Sequence, residues 1–219
     1  MLRRNIVGLV ICVAALGVST LGLAGVPDLV NSNADLPAGT PQVSVFLTPD
    51  GTGFLMTEAR AITTPPQDVV NATITVTLLD AGMNPVFAYP FEDMWLETSL
   101  GGMVACVNGT LAHFNTDING QTTFVGPFYA GGYSNKVGGE LTQVIINGSP
   151  LINEDLDVLF NSADLYTQFS SQGQVDSDDL IVFSTLYNGT SYAADFFYDG
   201  QVELSDLVLF SGAYNTLCP

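Results

Sequence analysis

Residues 72–79 read Ala72-Thr73-Ile74-Thr75-Val76-Thr77-Leu78-Leu79. β-Branched and apolar side chains alternate with threonines, the period-two pattern of a strand with one buried face. Asp80-Ala81-Gly82 closes it with turn chemistry. The same signal recurs on both sides. Upstream, Val43, Val45 and Leu47 alternate with smaller or polar residues before a turn at Pro49-Asp50-Gly51. Downstream, residues 86–89, 94–98, 122–125 and 141–146 read as short strands, punctuated by Asn84-Pro85, Gly101-Gly102 and Asn119-Gly120. Short strands at this spacing, with no helical period among them, predict a β-sandwich over residues 42–158. Trp95, between Met94 and Leu96, reads as part of its core.

The run ATITVTLLDAGMNPVFAYPFEDMWLETS over 72–99, followed by TDINGQTTF over 116–124, resembles bacterial Ig-like domains of the invasin type. That family shows an "ITVTL-D" strand, a turn with Asn-Pro, and a later "TD-NG-T" hairpin. The resemblance covers residues 70–130. Asp117 and Asn119-Gly120 suit the left-handed backbone of a tight hairpin, and Pro85 fixes the chain between two strands. The resemblance implies an Ig-like sandwich used for spacing, adhesion or assembly at a cell surface. Fold alone does not choose among these roles.

The chain starts with Arg3 and Arg4, an apolar run over 6–21, and small residues Gly22 and Ala24. This is the layout of a signal peptide over 1–24 with cleavage before Gly25; the alternative is an uncleaved anchor. After cleavage two basic residues, Arg60 and Lys136, face all 22 acidic ones. A chain so charged is repelled by phosphate backbones, which excludes a nucleic-acid partner. Its carboxylates need solvent or a metal as counter-charge. Cys12 leaves with the signal, and in an exported chain Cys106 and Cys218 read as one disulfide tying the tail to the middle. Asn71, Asn108 and Asn188 begin N-x-T sequons, which carry glycans only if the host modifies its exports. Residues 25–41, rich in Pro, Gly, Asn and Asp, predict an extended N-terminal arm. Its Val26, Leu29 and Val30 are suited either to a neighbour's sheet edge or to folding back on their own domain.

Residues 159–219 carry an internal repeat. Gly173-Gln-Val-Asp-Ser-Asp-Asp179-Leu-Ile-Val-Phe183 recurs 27 residues later as Gly200-Gln-Val-Glu-Leu-Ser-Asp206-Leu-Val-Leu-Phe210. Each copy ends in Tyr-Asn, at 187–188 and 214–215. The second copy, DFFYDGQVELSD over 195–206, is a twelve-residue EF-hand-like loop. Asp195, Asp199, Glu203 and Asp206 take positions 1, 5, 9 and 12, Gly200 the turn, and Gln201 offers its backbone carbonyl. Such spacing can wrap oxygens around a Ca2+ ion. Phe197 at position 3 cannot coordinate, and the competing reading makes Asp206 a helix cap. The first copy is weaker. Counting back from Gly173 puts Gln168, Ser170 and Gln172 at positions 1, 3 and 5; alternatively Asp164 matches Asp195 across a four-residue insertion. Asp164, Asp176 and Asp179 are its carboxylates. The duplicated loops resemble a degenerate type I dockerin, which implies a small helical calcium-loop domain and a cohesin-type receptor. Helices over 179–187 and 206–214 would pack the halves together through Leu180, Phe183, Leu207 and Phe210.

No catalytic set stands out. His113 is the lone histidine, and no Ser lies in a nucleophile motif. One His and two pairing Cys make zinc a poor fit. The expectation is therefore a secreted, non-enzymatic structural protein at or outside the cell surface, free of the membrane once its signal is removed. It would self-assemble as the subunit of a surface fibre stabilised by calcium, or bind another surface protein. A docking module and a carbohydrate-binding sandwich are the alternatives, the latter resting on Tyr129 and Tyr133 in a Gly-rich loop.

Overall fold

A computed structural model describes residues 25–62, 68–152, 155–165 and 173–219, so the expected signal peptide over 1–24 lies outside the described residues. The alternation at 72–79 appears as a strand over Ile74–Thr77, with Ile74 and Val76 buried and the threonines half-buried. Twelve strands are described: β1 (Asn33–Asp35), β2 (Val43–Leu47), β3 (Ala59–Ala61), β4 (Val69–Val70), β5 (Ile74–Thr77), β6 (Met94–Thr98), β7 (Met103–Ala105), β8 (Gln121–Phe124), β9 (Ala130–Gly132), β10 (Thr142–Ile146), β11 (Ser149–Pro150) and β12 (Val158–Ser162). Two helices follow, α1 (Ser177–Leu186) and α2 (Leu204–Ala213). The chain is mainly β.

The strands form sheets ordered β1-β5-β8, β11-β10-β6, β12-β2-β3-β4 and β7-β9. One core lies between them: Ala34, Ile74, Val76 and Phe124 meet Met94, Leu96, Val144 and Ile146, with Val43, Val45, Leu47, Val158 and Phe160 closing it. Each of these side chains stabilises the fold by about 1.5–3 kcal/mol when fully buried.

The β12-β2 pair differs from the rest. It is parallel, Val158 opposite Val43, and every residue of both strands is buried. Burial on both faces is what a parallel pair requires. Val43, Val45 and Leu47 point into the sandwich, while Phe46 points the other way, into a second core with Phe183, Phe196, Val202 and Phe210. Ring centroids lie 4.9 Å apart for Phe46–Phe196 and 5.1 Å for Phe183–Phe210. The sandwich sheet is thus also the floor of the helical module, and β12 straddles 158/159, where composition changes. A polar seam accompanies it. Asn161 donates to the carbonyls of Tyr192 and Asp195 and accepts from the Tyr198 hydroxyl at 2.6 Å, and Ser44 meets the Tyr192 hydroxyl at 2.6 Å.

The expected Cys106–Cys218 disulfide is present, with Cα atoms 5.6 Å apart across 112 residues of sequence. Several expectations shift. Residues 86–89 form no strand: Pro85 makes one bridge to Leu79, and Ala88 turns at φ +58°. Trp95 is not core. Period two sends Met94 and Leu96 inward, so Trp95 faces out, half-buried. Part of the 25–41 segment is a strand, with β1 pairing antiparallel to β5 of its own domain and the Asp28 N–H donating to Leu79 O at 2.8 Å. Both helices begin two residues earlier than their sequence pattern suggested, because Asp176 and Glu203 are the N-caps.

Candidate functional site

Each helix begins with a capping box. At α1, Asp179 accepts from the Asp176 N–H at 2.8 Å, and Asp176 accepts from the Asp178 N–H at 2.8 Å. At α2, Asp206 accepts from the Glu203 N–H at 2.9 Å. These boxes satisfy orphan donors of the first turn. They also turn Asp179 and Asp206 inward, where both are fully buried. Asn188 and Asn215 stop the helices in matching left-handed conformations, φ +61° and +68°.

The hydrogen bonds align the two acidic loops. Asp195 accepts from the Gly200 N–H at 2.9 Å through Oδ2, and Asp164 accepts from the Gly173 N–H at 2.6 Å through Oδ2. Asp164 is therefore the counterpart of Asp195, with nine residues to its glycine instead of five. The other register, using Gln168, Ser170 and Gln172, lies outside the described residues. Gly131 makes room for this arrangement, since a Cβ there would stand 2.1 Å from Asp164 Oδ2. Gly173 sits at φ +82° with the Cys218 sulfur against it.

The halves differ in what reaches the second carboxylate oxygen. In the second loop, Asp195 Oδ1 accepts from the Asp199 N–H at 3.1 Å and Asp206 Oδ1 from the Phe197 N–H at 2.9 Å. In the first, Asp164 Oδ1 and Asp179 Oδ1 are buried with no hydrogen-bond partner among the described residues, although the Gln174 and Leu165 N–H groups still favour the charged forms of the two carboxyls. An unpaired buried carboxylate oxygen is costly, and the cost favours a proton or a cation there. Burial pushes the Asp179 carboxyl up to about 7, with the charges of Asp164 and Asp176 adding to it. Burial also lifts Asp164 to about 6, against the Gly173 bond, with Asp176 contributing. Asp195 rises to about 6 through burial and the charges of Asp206 and Asp199, and burial raises Asp206.

Asp199 and Glu203 stay exposed; Asp199 accepts from the Gln201 N–H at 3.0 Å, and the Gln201 side chain is exposed. Among the described residues, no three Asp, Glu, His or Cys side chains converge as a metal cage. Phe197, in the third position of its loop, lies under the Arg60 guanidinium at 4.4 Å. Lys136 stands 5.6 Å over the Tyr192 ring.

Elsewhere, His113 is exposed against Phe114, and Asn71, Asn108 and Asn188 are all exposed. Tyr129 and Tyr133 are half-buried, Tyr129 covering Gly51 and Tyr133 packing on the second core. Sequence reasoning missed a cleft at Trp95, Glu92 and Glu97. The alternation that turns Trp95 outward was the signal for it.

No family model matches the chain, and no curated protein matches it. A solved structure similar to part of it is the Lin-41 filamin domain, 13% identical, with a TM-score of 0.29 over 60% of this chain and 95% of that one. At that score the likeness carries no argument.

Proposed function

We propose that this is an exported, non-catalytic structural protein that pairs with a second copy of itself through α1 and α2, and that takes up calcium in its first acidic loop. The Ig-like reading of the sandwich and the dockerin-like reading of the helical module belong to this proposal. The basic-apolar start of the chain and the disulfide support export.

The observation that carries the pairing is a repeated, uncharged strip. Leu180 and Ile181 on α1 with Tyr187 just after it, and Leu204 and Val208 on α2 with Tyr214 just after it, are all exposed, and Ile181 and Tyr187 recur 27 residues on as Val208 and Tyr214. Segments 180–187 and 207–214 contain no charged residue. Two copies of so acidic a chain repel wherever their carboxylates meet, so an uncharged face is the place where contact costs least. Because the strip repeats within the chain, it can match itself across a two-fold axis, which closes as a pair. A longer fibre would need a second contact.

Calcium prefers six to eight oxygens. The unpartnered Oδ1 atoms of Asp164 and Asp179 are the oxygens with least to lose by coordinating, whereas those of Asp195 and Asp206 already hold backbone N–H groups. Further ligands would have to be recruited, as no cage of three acids is formed among the described residues.

Sedimentation velocity over a concentration series, in calcium and in chelator, tests the pairing. Reversible dimers in calcium, abolished by Ile181→Asp with Val208→Asp while circular dichroism stays unchanged, are expected. Monomers throughout would overturn self-pairing and favour docking onto a cohesin-type receptor.

A further inference from the structure

We propose that the cleft beside Trp95 is a saccharide-binding site, separate from the two acidic loops. It measures about 330 Å³, at the small end of the roughly 300–1,000 Å³ typical of ligand pockets. Glu92, Trp95, Glu97, Asn108 and Leu111 are among its lining residues.

Three features make it a built site. First, the ring is held. The Trp95 indole N–H donates to Glu97 Oε1 at 2.7 Å, and its backbone bridges to Leu111. A fixed aromatic surface loses little entropy when something stacks on it. Second, the opposite wall is anchored. Cys106 is in the disulfide, its N–H donates to Tyr129 O at 2.9 Å, and Gly109 O accepts from the Tyr129 N–H at 2.9 Å. Third, the charged groups are of one sign. Glu92 and Glu97 are acceptors, and Asn108 adds an amide, while neither Arg60 nor Lys136 lines the cleft.

A ligand complementary to this lining has an apolar face for the indole and several hydroxyl or amine donors for the carboxylates. A pyranose ring has both, with C–H groups on its face and hydroxyls on its rim. Two carboxylates beside one ring also attract an organic cation, but such cations are held by cages of several aromatic rings. Trp95 is the sole ring in this lining. Asn108 begins a sequon, so the protein for the test comes from a host that adds no glycan.

Trp95 is the only tryptophan, so its emission reports on this cleft alone. The full exported chain would be titrated with tetramers of glucose, N-acetylglucosamine and glucosamine, and with tetramethylammonium. The expected result is a saturable emission change, and protection from acrylamide, with at least one saccharide. Glu92→Gln and Glu97→Gln should each weaken that response about tenfold or more, as befits a hydrogen bond to a charged acceptor, without altering the thermal midpoint. The proposal is overturned by silence from all three saccharides up to about 10 mM, where even weak sites fill. A response to tetramethylammonium alone, or one unchanged in the double Gln variant, overturns it equally.

Discussion

The two halves of the C-terminal module carry the same eleven-residue motif and arrive at the same capped helix, yet their acidic loops are in different electrostatic states. Around Asp195 and Asp206 the loop supplies an N–H to every carboxylate oxygen, so the charges are spread over backbone dipoles. Around Asp164 and Asp179 two oxygens have no hydrogen-bond donor among the described residues. The donors used in the second loop come from Phe197 and Asp199. In the first, four extra residues separate Asp164 from its glycine. Residues 164–179 and 195–206 carry four acids each, so the number of acids does not set the need for a cation. What matters is whether the loop completes the hydrogen bonds of its own carboxylates.

The heaviest way to break the comparison is to remove the disulfide, which lies on the first half. Cys218 donates its N–H to Gly173 O at 2.7 Å, and Gln174 bridges to Leu217. Replacing both cysteines with serine frees a 112-residue loop and should cost about 4–5 kcal/mol, the chain-entropy value for loops near that length. Denaturant unfolding measures the loss. Hydrogen exchange should show 173–187 losing protection ahead of 195–214; equal loss would mean the halves share one tether.

Calcium should act next, and on one half only. At a concentration a hundredfold above its dissociation constant it would add about 2.7 kcal/mol to stability. Asp164→Asn should abolish that gain and Asp199→Asn should leave it. The reverse pattern would move the ion to the second loop, in the order the sequence suggested.

A smaller contrast isolates the hydrogen bonds. Asp206→Ala strips acceptors from two backbone donors, Phe197 and Glu203, whereas Asp179→Ala strips one from Asp176 and also removes an orphan oxygen. With each bond to a charged group worth about 1.5–3 kcal/mol, Asp206→Ala should be the more destabilising by about 2 kcal/mol in chelator. Equal urea midpoints would refute the asymmetry.

How much of this was legible in the sequence varies with element length. The strands at 43–47, 74–77, 94–98, 121–124 and 142–146 were visible because four or five residues suffice to show a period. β1, β3, β4, β7, β9 and β11 have two or three residues each, too few for any period, and two of the three β9 residues are glycines. β12 was hidden for another reason. Buried on both faces, it does not alternate, and its polar Asn161 belongs to the seam that joins the two cores. The repeat showed the candidate site, including the Asp164 register. The orphan oxygens were beyond it, because hydrogen-bond satisfaction depends on which backbone N–H groups fold over each carboxylate. Trp95 was misplaced by weighing its hydrophobicity over its position in the alternation.

The finest discrimination between the halves is in pH. Asp164 and Asp195 titrate at about 6 and Asp179 at about 7 in the folded chain, against 3.8 for the ordinary carboxyl that the unfolded chain presents. Between those values the folded state holds more protons than the unfolded one, so module stability falls as pH rises from about 4 to about 7. Glu140 in the sandwich behaves oppositely. Burial works against its charge, but the Asn135, Gly102 and Leu100 N–H groups and Thr98 outweigh it and hold the carboxyl below its usual range. Its contribution is present above the ordinary value of 4.5 and is lost as pH falls. In chelator, acidifying from pH 8 to pH 5 should therefore raise the denaturant midpoint of the helical module. The step between pH 7 and pH 6 belongs mostly to Asp179, whereas from pH 6 down to about 4 Asp164, Asp179 and Asp195 all contribute. Asp179→Asn should therefore flatten the step above pH 6 and reduce the slope below it, while Asp195→Asn should reduce only the slope below pH 6. If Asp195→Asn flattened the upper step as well, the two loops would be electrostatically equivalent after all.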